Sequence, residues 1–318
     1  MLFVLLAVLA AVIWICAYVF RICFYSPKDR IDDPYMLIPG EQYEELSNLI
    51  IACTSIMDKA PCQWVTTTSH DGLKLSARYY HTADDAPTVI VFHGYRGNAL
   101  RDGAGGFALC RRLGFNVLVP DQRAHARSDG NVISFGILER YDVLRWIEYI
   151  GGNRPIVLSG LSMGAATVLM TSDLELPENV VCMLADCPYD SPGGIIKKVC
   201  RDRKIPDKLA YPFIKLTAKL IGKFDLEATS ATEAVKQAKV PILLIHGVDD
   251  RFVPCEMSRN IAKVCASPVK LVTFPNAGHG LCYMTDSERY ERESVRFLWE
   301  IPTLEPYLEQ SEFARSQR

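Results

Sequence analysis

The sequence predicts an α/β protein with a mostly parallel, eight-stranded sheet that is covered by helices on both faces. Short apolar runs alternate with amphipathic segments between residues 62 and 301, and this alternation is typical of parallel strands joined by helical crossovers. One apolar run leads directly into a Gly-x-Ser-x-Gly pentapeptide at 160–164. A separate apolar stretch at 2–20 predicts one helix that does not belong to the sheet.

The composition limits the class of protein. The 318 residues suffice for one large domain with additions. A net charge of −2 gives no overall electrostatic preference for nucleic acid. The 11 cysteines include no Cys-x-x-Cys pair, and several, such as Cys182, lie inside apolar runs. They are therefore interpreted as free core thiols, which argues against a disulfide framework or a zinc site and favours a reducing compartment.

Residues 1–24 are predicted to form a single-pass membrane anchor. As a helix, the stretch 2–20 would extend about 28 Å, close to the hydrocarbon thickness of a bilayer. A cleaved signal peptide is the alternative, but no basic residue precedes the stretch and no clear small-x-small motif precedes Arg21. Arg21, Lys28 and Arg30 follow it, so the positive-inside tendency predicts that the rest of the chain lies on the cytoplasmic side.

The segment 25–61 is interpreted as a connector between the anchor and the sheet domain. Apolar residues recur at helical spacing between 41 and 59, and glutamates occupy the other face near the start. This pattern predicts one amphipathic helix that packs on the domain and carries no functional residue.

The sheet domain is predicted to span 62–301. It begins with a hairpin whose strands, 63–69 and 73–81, flank a turn with Asp71-Gly72. The later strands are predicted at 86–94, 115–121, 155–158, 180–188, 241–247 and 269–275, and three helices at 99–113, 139–150 and 286–300. The residues after the domain, 302–318, are polar and are expected to form a loosely ordered tail.

One stretch, 189–239, interrupts the alternation of strands and helices. It is too long for a single crossover, and it is predicted to form a small lid with two helices near 191–203 and 207–222. Between 197 and 223 it carries nine basic and two acidic residues, a local excess of +7. A solvated helix face would explain this charge.

A second hypothesis is that this lid lies against anionic lipid head groups near the anchor. Its apolar side chains would then line an acyl pocket or contact the bilayer, and they are Leu209, Tyr211, Phe213, Leu216 and Leu220.

The pentapeptide Gly160-Leu161-Ser162-Met163-Gly164 follows the strand at 155–158 and precedes a helical run. Strand, Gly-x-Ser-x-Gly and helix is the context of a nucleophile elbow, in which the serine occupies the tip of a sharp, strained turn. The glycines are expected because side chains at the flanking positions would clash with the strand and the helix. Ser162 is therefore the candidate nucleophile.

A serine hydroxyl needs a base within hydrogen-bond reach and a third group that orients the base. His279 follows the last predicted strand and is the candidate base, whereas His93 and His246 end strands and are interpreted as turn or structural residues. The acid is expected after a later strand and before His279, and we prefer Asp250. Asp249 and Asp186 are the alternatives. The resulting order of nucleophile, acid and base distinguishes one class of serine hydrolase from the others.

Acyl transfer also needs two donors for the oxyanion of the tetrahedral intermediate. The backbone N–H of Met163, at the start of a helix, is one candidate. The other is the backbone N–H of Tyr95, in the loop after the strand that ends at His93-Gly94. The Tyr95 ring is also expected to form a wall of the acyl pocket.

Five segments together resemble the successive signatures of the α/β-hydrolase superfamily: VFHGYRGN, DQRAHARSDG, LSGLSMGAA, HGVDDRFVP and PNAGHG. Within it they are similar to the serine-aminopeptidase-like and monoacylglycerol-lipase-like group, which includes bacterial membrane-anchored members. The resemblance covers about 62–301. It implies Ser162 as nucleophile, Asp250 as acid, His279 as base and Tyr95 as oxyanion donor.

The sequence departs from the family pattern at one segment. The usual Arg-Gly-His-Gly appears here as Arg123-Ala124-His125-Ala126, with alanine at both glycine positions. No catalytic role is therefore transferred to His125, which is expected to be a structural residue beneath the nucleophile turn.

The resemblance implies hydrolysis of an ester, thioester or amide without a metal or an organic cofactor. We expect a serine hydrolase that cleaves carboxylic esters, of the esterase, lipase or thioesterase type, with a lipid-like or acyl substrate. An aminopeptidase is the alternative, and it would need a carboxylate pair such as Asp186 and Asp190 to hold a free amine. A non-catalytic binding protein is less favoured, because binding alone does not require all three groups of the triad.

Overall fold

The computed structural model describes residues 1–28 and 32–318. Arg30, one of the basic residues used to predict the membrane orientation, lies outside the described residues. Eight strands form one sheet, and their bounds are β1 Gln63–Thr68, β2 Lys74–Tyr80, β3 Thr88–Phe92, β4 Asn116–Asp121, β5 Ile156–Leu161, β6 Val180–Asp186, β7 Ile242–Gly247 and β8 Val269–Phe274.

The strand order across the sheet is β1-β2-β4-β3-β5-β6-β7-β8. β1 pairs antiparallel with β2, and β2 pairs antiparallel with β4. All pairs from β4 to β8 are parallel. The predicted α/β architecture and its opening hairpin are therefore confirmed. Because the parallel strands share one direction, the loops that follow β3, β5, β7 and β8 meet at one edge of the sheet.

Helices surround the sheet and extend several of its loops. Their bounds are α1 Leu2–Cys23, α2 Glu41–Glu45, α3 Ser47–Lys59, α4 Ala99–Leu113, α5 Glu139–Ile150, α6 Met163–Leu169, α7 Pro192–Asp202, α8 Asp207–Thr217, α9 Ala231–Ala234, α10 Glu256–Val264, α11 Cys282–Thr285, α12 Ser287–Trp299, α13 Glu305–Leu308 and α14 Glu312–Ser316. A π-helical segment, Ala218–Gly222, continues α8.

Helix α4 shows how the sequence sets such bounds. The side chain of Asn98 accepts hydrogen bonds from the backbone N–H groups of Leu100 and Arg101, which caps the first turn. Gly114 ends the helix with φ 77°, a left-handed conformation that glycine adopts without strain. The helix predicted at 99–113 therefore begins and ends where its capping residues require.

Two apolar layers flank the sheet. On one face, Phe107 of α4 packs in the same cluster as Phe297 of α12. On the other face, Trp146 of α5 packs with Ile261 of α10. All residues of β3 are buried between these layers. Each fully buried large apolar side chain contributes about 1.5–3 kcal/mol, so the loop that follows β3 begins from a well-packed strand.

The connector differs from its prediction. One helix was expected between 41 and 59, but α2 and α3 are separated at Leu46, whose φ of −98° and ψ of 5° lie outside the helical range. The reason is that α3 buries Ile50 and Met57 against the domain, whereas α2 buries none of its residues. The break allows the two segments to follow different surfaces.

The expectation of a loosely ordered tail at 302–318 is wrong. Leu304, Leu308 and Ala314 are fully buried in the cluster that also contains α4 and α12. The Trp299 Nε1–H donates a hydrogen bond to the Ala314 carbonyl at 3.1 Å. The segment is polar on average, but these three apolar side chains are buried in the core, and their burial orders the chain.

The lid contains the two expected helices, α7 and α8, and α8 lies along the N-terminal helix α1. The part of α1 from Phe3 to Cys23 has a mean hydropathy of 2.8 and little buried surface. It is long and apolar enough to cross a membrane, a property that signal sequences share. The end of α1 differs from the rest, because Phe24 is fully buried between Phe135 and Phe224.

Candidate active site

Ser162 lies at the sharp turn between β5 and α6. Its φ of 55° and ψ of −114° are unfavourable for a residue with a side chain, and its backbone N–H donates to the Asp186 carbonyl at 2.8 Å. A Cβ atom on Gly164 would overlap the backbone of Phe92, and one on Gly160 would overlap the backbone of Gly164. Both glycines are therefore required by close backbone approach, as the elbow geometry predicts.

The side chains of Ser162, His279 and Asp250 form one continuous hydrogen-bonded array. His279 Nε2 lies 2.9 Å from Ser162 Oγ, and His279 Nδ1 lies 2.7 Å from Asp250 Oδ2. The three residues follow β5, β8 and β7, and they meet because those strands end at the same edge. When Nδ1–H donates to the carboxylate, Nε2 is left free to accept the serine proton.

Asp250 is held as a carboxylate. Its Oδ1 accepts from the backbone N–H groups of Phe252 and Val253 at 2.9 and 2.8 Å. Burial alone would raise the pKa of this group, but hydrogen bonds from His246 and His279 outweigh burial and hold the pKa well below its usual range. The group therefore stays ionised beside the imidazole.

The two alternative acids lie elsewhere. Asp249 Oδ2 accepts from the backbone N–H of Asn276 at 2.8 Å, which is the role of a turn aspartate. Asp186 is buried in the protein interior, where desolvation raises its pKa to about 6. Neither carboxylate forms a hydrogen bond with His279 in the part of the chain that the structure describes.

His246 supports the acid from behind. It is fully buried, and its Nε2 lies 2.8 Å from the Val253 carbonyl and 3.3 Å from Asp250 Oδ2. Its Nδ1 lies 2.6 Å from Ser258 Oγ. With the proton on Nε2, the ring donates toward the Asp250 turn and accepts from Ser258. The expected structural role of His246 is thus a specific one, because the residue fixes the turn that carries the candidate acid.

The loop after β3 brings Tyr95 toward the nucleophile. A Cβ atom on Gly94 would lie 3.5 Å from the Cβ of Ser162, and the Gly94 N–H donates to Asp102 Oδ2 at 2.9 Å. The backbone N–H groups of Tyr95 and Met163 donate to no protein acceptor in residues 1–28 and 32–318. Both N–H groups are therefore available to a ligand at the position expected of oxyanion donors.

His125 lies against this oxyanion loop, residues 93–98, which gives it a structural role, and its expected place beneath the nucleophile turn stays a prediction. Its Nε2 accepts from the Arg96 N–H at 3.1 Å, and its ring contacts that of His93 with 4.6 Å between centroids. The two alanines beside it, Ala124 and Ala126, have φ values of 62° and 39°. Both positions that carry glycine in the related family thus keep a backbone conformation that favours glycine.

The Tyr95 side chain was expected to form a wall of the acyl pocket, but it faces the N-terminal helix. Its ring stacks on Phe135 with centroids 5.0 Å apart, and its hydroxyl donates to the Cys23 carbonyl at 2.9 Å. These contacts place the ring against the end of α1, and its expected role as a wall of the acyl pocket stays a prediction.

Sequence reasoning missed three contacts of the site. Tyr43 of the connector donates from its hydroxyl to the His279 carbonyl at 2.7 Å. Asp102 anchors the oxyanion loop, as described above. The half-exposed ring of Phe252 lies 5.1 Å from the His279 ring, between centroids. Tyr43 and His279 are 236 positions apart, and no spacing rule connects them.

Among residues 1–28 and 32–318, one set of side chains has the spacing of metal ligands. The ligand atoms of Cys187, Asp250 and His279 lie within 4.8 Å of one another. However, burial raises the pKa of the Cys187 thiol well above its usual value, so the thiolate that a metal requires is disfavoured. Asp250 and His279 already satisfy each other. This donor set fits a proton-transfer array better than a metal site.

The carboxylate pair considered for an aminopeptidase does not form a joint site. Asp186 lies within the core beside Tyr290. Asp190 accepts from Asn260 at 3.1 Å and from Ser191 at 3.0 Å. The two carboxylates therefore belong to different surroundings and offer no shared position for a free amine.

The sheet order and the elbow after β5 define an α/β hydrolase. Residues 89–293 match the alpha/beta hydrolase family, and the chain belongs to that family. Among curated proteins it is 26% identical to the uncharacterized protein YqkD of Bacillus subtilis, across 69% of this chain and 74% of that protein. It is 23% identical to the bifunctional esterase/perhydrolase DCH of Acinetobacter calcoaceticus, across 67% of this chain and 92% of that protein.

Among solved structures, the chain is similar to the Pyrococcus furiosus esterase Pf2001. The TM-score is 0.62 at 23% identity, with 87% of this chain and 98% of that chain covered. This likeness supports the fold. The family match over residues 89–293 makes hydrolysis the expected class of reaction.

Proposed function

We propose that the protein is a serine hydrolase that cleaves carboxylic esters through an acyl-enzyme intermediate. The observation that carries the proposal is the array of Ser162, His279 and Asp250, with donor–acceptor distances of 2.9 and 2.7 Å. A serine in a strained elbow that is hydrogen-bonded to an oriented imidazole has the arrangement of an activated nucleophile.

The reaction begins when Ser162 Oγ attacks the ester carbonyl and His279 Nε2 takes the hydroxyl proton. Asp250 stabilises the imidazolium that results. The negative oxygen of the tetrahedral intermediate is stabilised by the N–H groups of Met163 and Tyr95, and one such donor lowers the barrier enough to raise kcat about 10²–10³-fold.

The intermediate collapses as the carbon–oxygen bond to the alcohol breaks, and His279 donates its proton to the leaving alcohol. Water then attacks the acyl carbon while His279 Nε2 takes a proton from that water. A second tetrahedral intermediate breaks its bond to Ser162 Oγ, which recovers the proton from His279 and releases the acid.

The choice of esters over amides is supported by two points. The described relatives with a stated activity are an esterase/perhydrolase and an esterase. In addition, Asp186 and Asp190 provide no joint carboxylate site for a free amine, as shown above. An aminopeptidase remains the second candidate within the same mechanism, and it differs in the leaving group alone.

We further propose that α1 anchors the protein in a membrane, that the domain faces the cytoplasm, and that the substrate is lipid-like. Arg21 and Lys28 support this orientation. The outer face of α8 and of the π-helical segment that continues it supports a bilayer contact, since Leu209 and Leu220 are 71% and 65% exposed beside α1. The flanking lysines Lys208 and Lys219 form no ion pair within the described ranges 1–28 and 32–318 and would complement anionic head groups.

The lid hypothesis is tested with lipids brominated near the head group, which quench tryptophan fluorescence by contact. The full chain is reconstituted in bilayers as Leu220→Trp, and the matched control is Ile56→Trp, which replaces an equally exposed residue of α3. Quenching at position 220 that is stronger in anionic lipid supports the contact. Equal quenching at positions 220 and 56 would contradict a contact between the lid and the bilayer.

The catalytic proposal is tested with a panel of ester substrates of increasing acyl length, using the full chain in detergent and in bilayers. Ser162→Ala is expected to lose at least about 10³-fold in kcat. The control is Ser294→Ala, because Ser294 is a buried serine of α12 whose hydroxyl has no partner in the described structure. Equal activity in the two variants would contradict the proposal.

A further inference from the structure

The last turn of α1 exposes carbonyl groups that the helix cannot satisfy itself, as at the C-terminus of any helix. Two consecutive residues of the oxyanion loop supply the missing donors. The Tyr95 hydroxyl donates to the Cys23 carbonyl at 2.9 Å. The Arg96 Nη2 group donates to the carbonyls of Ile22 and Tyr25 at 2.9 and 3.0 Å. The loop that carries a candidate oxyanion donor is therefore attached to the N-terminal helix.

The helix end is itself fixed to the domain. Phe24 is fully buried in a cluster with Phe135 and Phe224. The neighbouring backbone pairs with the segment after β4, since the Ile133 N–H donates to the Phe24 carbonyl at 2.8 Å and the Ser26 N–H donates to the Asn131 carbonyl at 2.9 Å. The helix end thus provides a rigid support for the loop.

The loop is held from the opposite side as well. Gly94 and Arg96 donate their backbone N–H groups to Asp102 and His125, at 2.9 and 3.1 Å. Arg96 has a φ of 49°, a left-handed conformation that a residue with a side chain keeps only where its surroundings enforce it. Tyr95 lies between these attachments, so the direction of its N–H depends on both.

We propose that α1 is a part of the active site: through Tyr95 and Arg96, its last turn positions the oxyanion loop. The two side chains are positioning residues, because they act through the Tyr95 backbone N–H and do not touch the substrate. This inference rests on the proposed function, in which that N–H stabilises the tetrahedral intermediate. Removal of the helix by processing near its end would therefore disable catalysis as well as detach the protein.

The test uses the full chain in bilayers and the variants Tyr95→Phe, Arg96→Gln and the double variant. We expect kcat of the double variant to fall about 10-fold or more, because small displacements of an oxyanion donor weaken transition-state stabilisation. KM for the ester should change less than about twofold, since the ground-state carbonyl gains little from the donor.

Matched controls make the same kind of contact elsewhere. Tyr80→Phe removes a tyrosine hydroxyl that donates to the Met57 carbonyl near the end of α3, at 3.2 Å. Arg145→Gln removes a guanidinium that donates to the Thr68 carbonyl at 2.9 Å. Both controls should keep kcat. An equal loss of kcat in the controls and the test variants would overturn the proposal.

Two further measurements distinguish a positioning role of these side chains from a general effect on stability. The affinity of a trifluoromethyl ketone, which forms an oxyanion on the serine, should fall in proportion to kcat/KM, whereas the affinity of the product acid should not. Deuterium uptake by the amides of 93–98 should rise in the variants. A wild type without esterase activity would refute the proposed function. Active variants with unchanged kcat and unchanged uptake would refute this inference alone.

Discussion

His246 Nε2 lies 3.3 Å from the same Asp250 oxygen, Oδ2, that lies 2.7 Å from His279 Nδ1. The acid of the array is thus held between two imidazoles. Because its folded-state pKa is lowered, the carboxylate stabilises the fold at neutral pH, and this contribution is lost as the pH falls below the usual carboxyl pKa of about 4. The carboxylate therefore contributes to the fold as well as to the proposed catalysis.

Asp250→Asn is expected to lower kcat about 10³–10⁴-fold while the ester KM changes little. An amide keeps the shape of the side chain but can donate to His279 Nδ1, which favours the tautomer that cannot accept the Ser162 proton. Steady-state kinetics measure the effect. Asp249→Asn is the matched control, because that neighbouring carboxylate bonds to Asn276 and not to the imidazole. Similar losses in both variants would mean that Asp250 is not the acid.

Asp186→Asn is expected to stabilise the protein at neutral pH. Burial raises the folded-state pKa of Asp186 to about 6, so its stabilising contribution is complete below about pH 4 and is lost as the pH rises through 6. The wild type should lose about 2–3 kcal/mol on this account, and the variant should not. Urea unfolding of both proteins in micelles, at about pH 4 and at neutral pH, isolates the contribution of this carboxyl group to the free energy of unfolding. A difference that is independent of pH would contradict the prediction.

Ala126→Gly is expected to raise the free energy of unfolding by about 1 kcal/mol. Ala126 has a φ of 39°, and glycine adopts left-handed conformations without the steric cost that a Cβ atom brings. Ala124→Gly is the comparison. Its φ is 62°, but its methyl group is fully buried, so the loss of that group offsets part of the gain. Chemical denaturation measures both values, and a loss of stability in Ala126→Gly would refute the strain argument.

Phe24→Ala is expected to destabilise the protein by about 3 kcal/mol or more, because the fully buried ring fills a space between Phe135 and Phe224. Phe3→Ala is the matched control on the same helix, since that ring is 87% exposed. Thermal unfolding in micelles measures the difference. Equal melting temperatures for the two variants would show that the end of α1 is not part of the core.

Much of this architecture follows from local pattern. The elbow at Ser162 can be recognised from consecutive residues, because β5, the pentapeptide and α6 follow one another along the chain. Asp250 and His279 are placed by a second rule, that loops after parallel strands meet at one edge. Such rules depend on order along the chain, and the sequence therefore contains them.

Other parts depend on contacts between distant segments, which no local pattern records. Tyr43 of the connector contacts the His279 backbone, and the Tyr95 hydroxyl donates to the Cys23 carbonyl at the end of α1. The C-terminal segment was misjudged for a similar reason. The segment is polar on average, but Leu304 and Leu308 are fully buried. Composition alone does not show which residues of a segment are buried.

The proposed function requires Ser162 to form a covalent intermediate. The most direct measurement is reaction of the folded full chain in bilayers with a fluorophosphonate, followed by mass spectrometry of its peptides. We expect one adduct, on Ser162, that is absent in Ser162→Ala and forms much more slowly in His279→Gln. A folded wild type that forms no adduct, or forms it at another residue, would show that Ser162 is not the nucleophile.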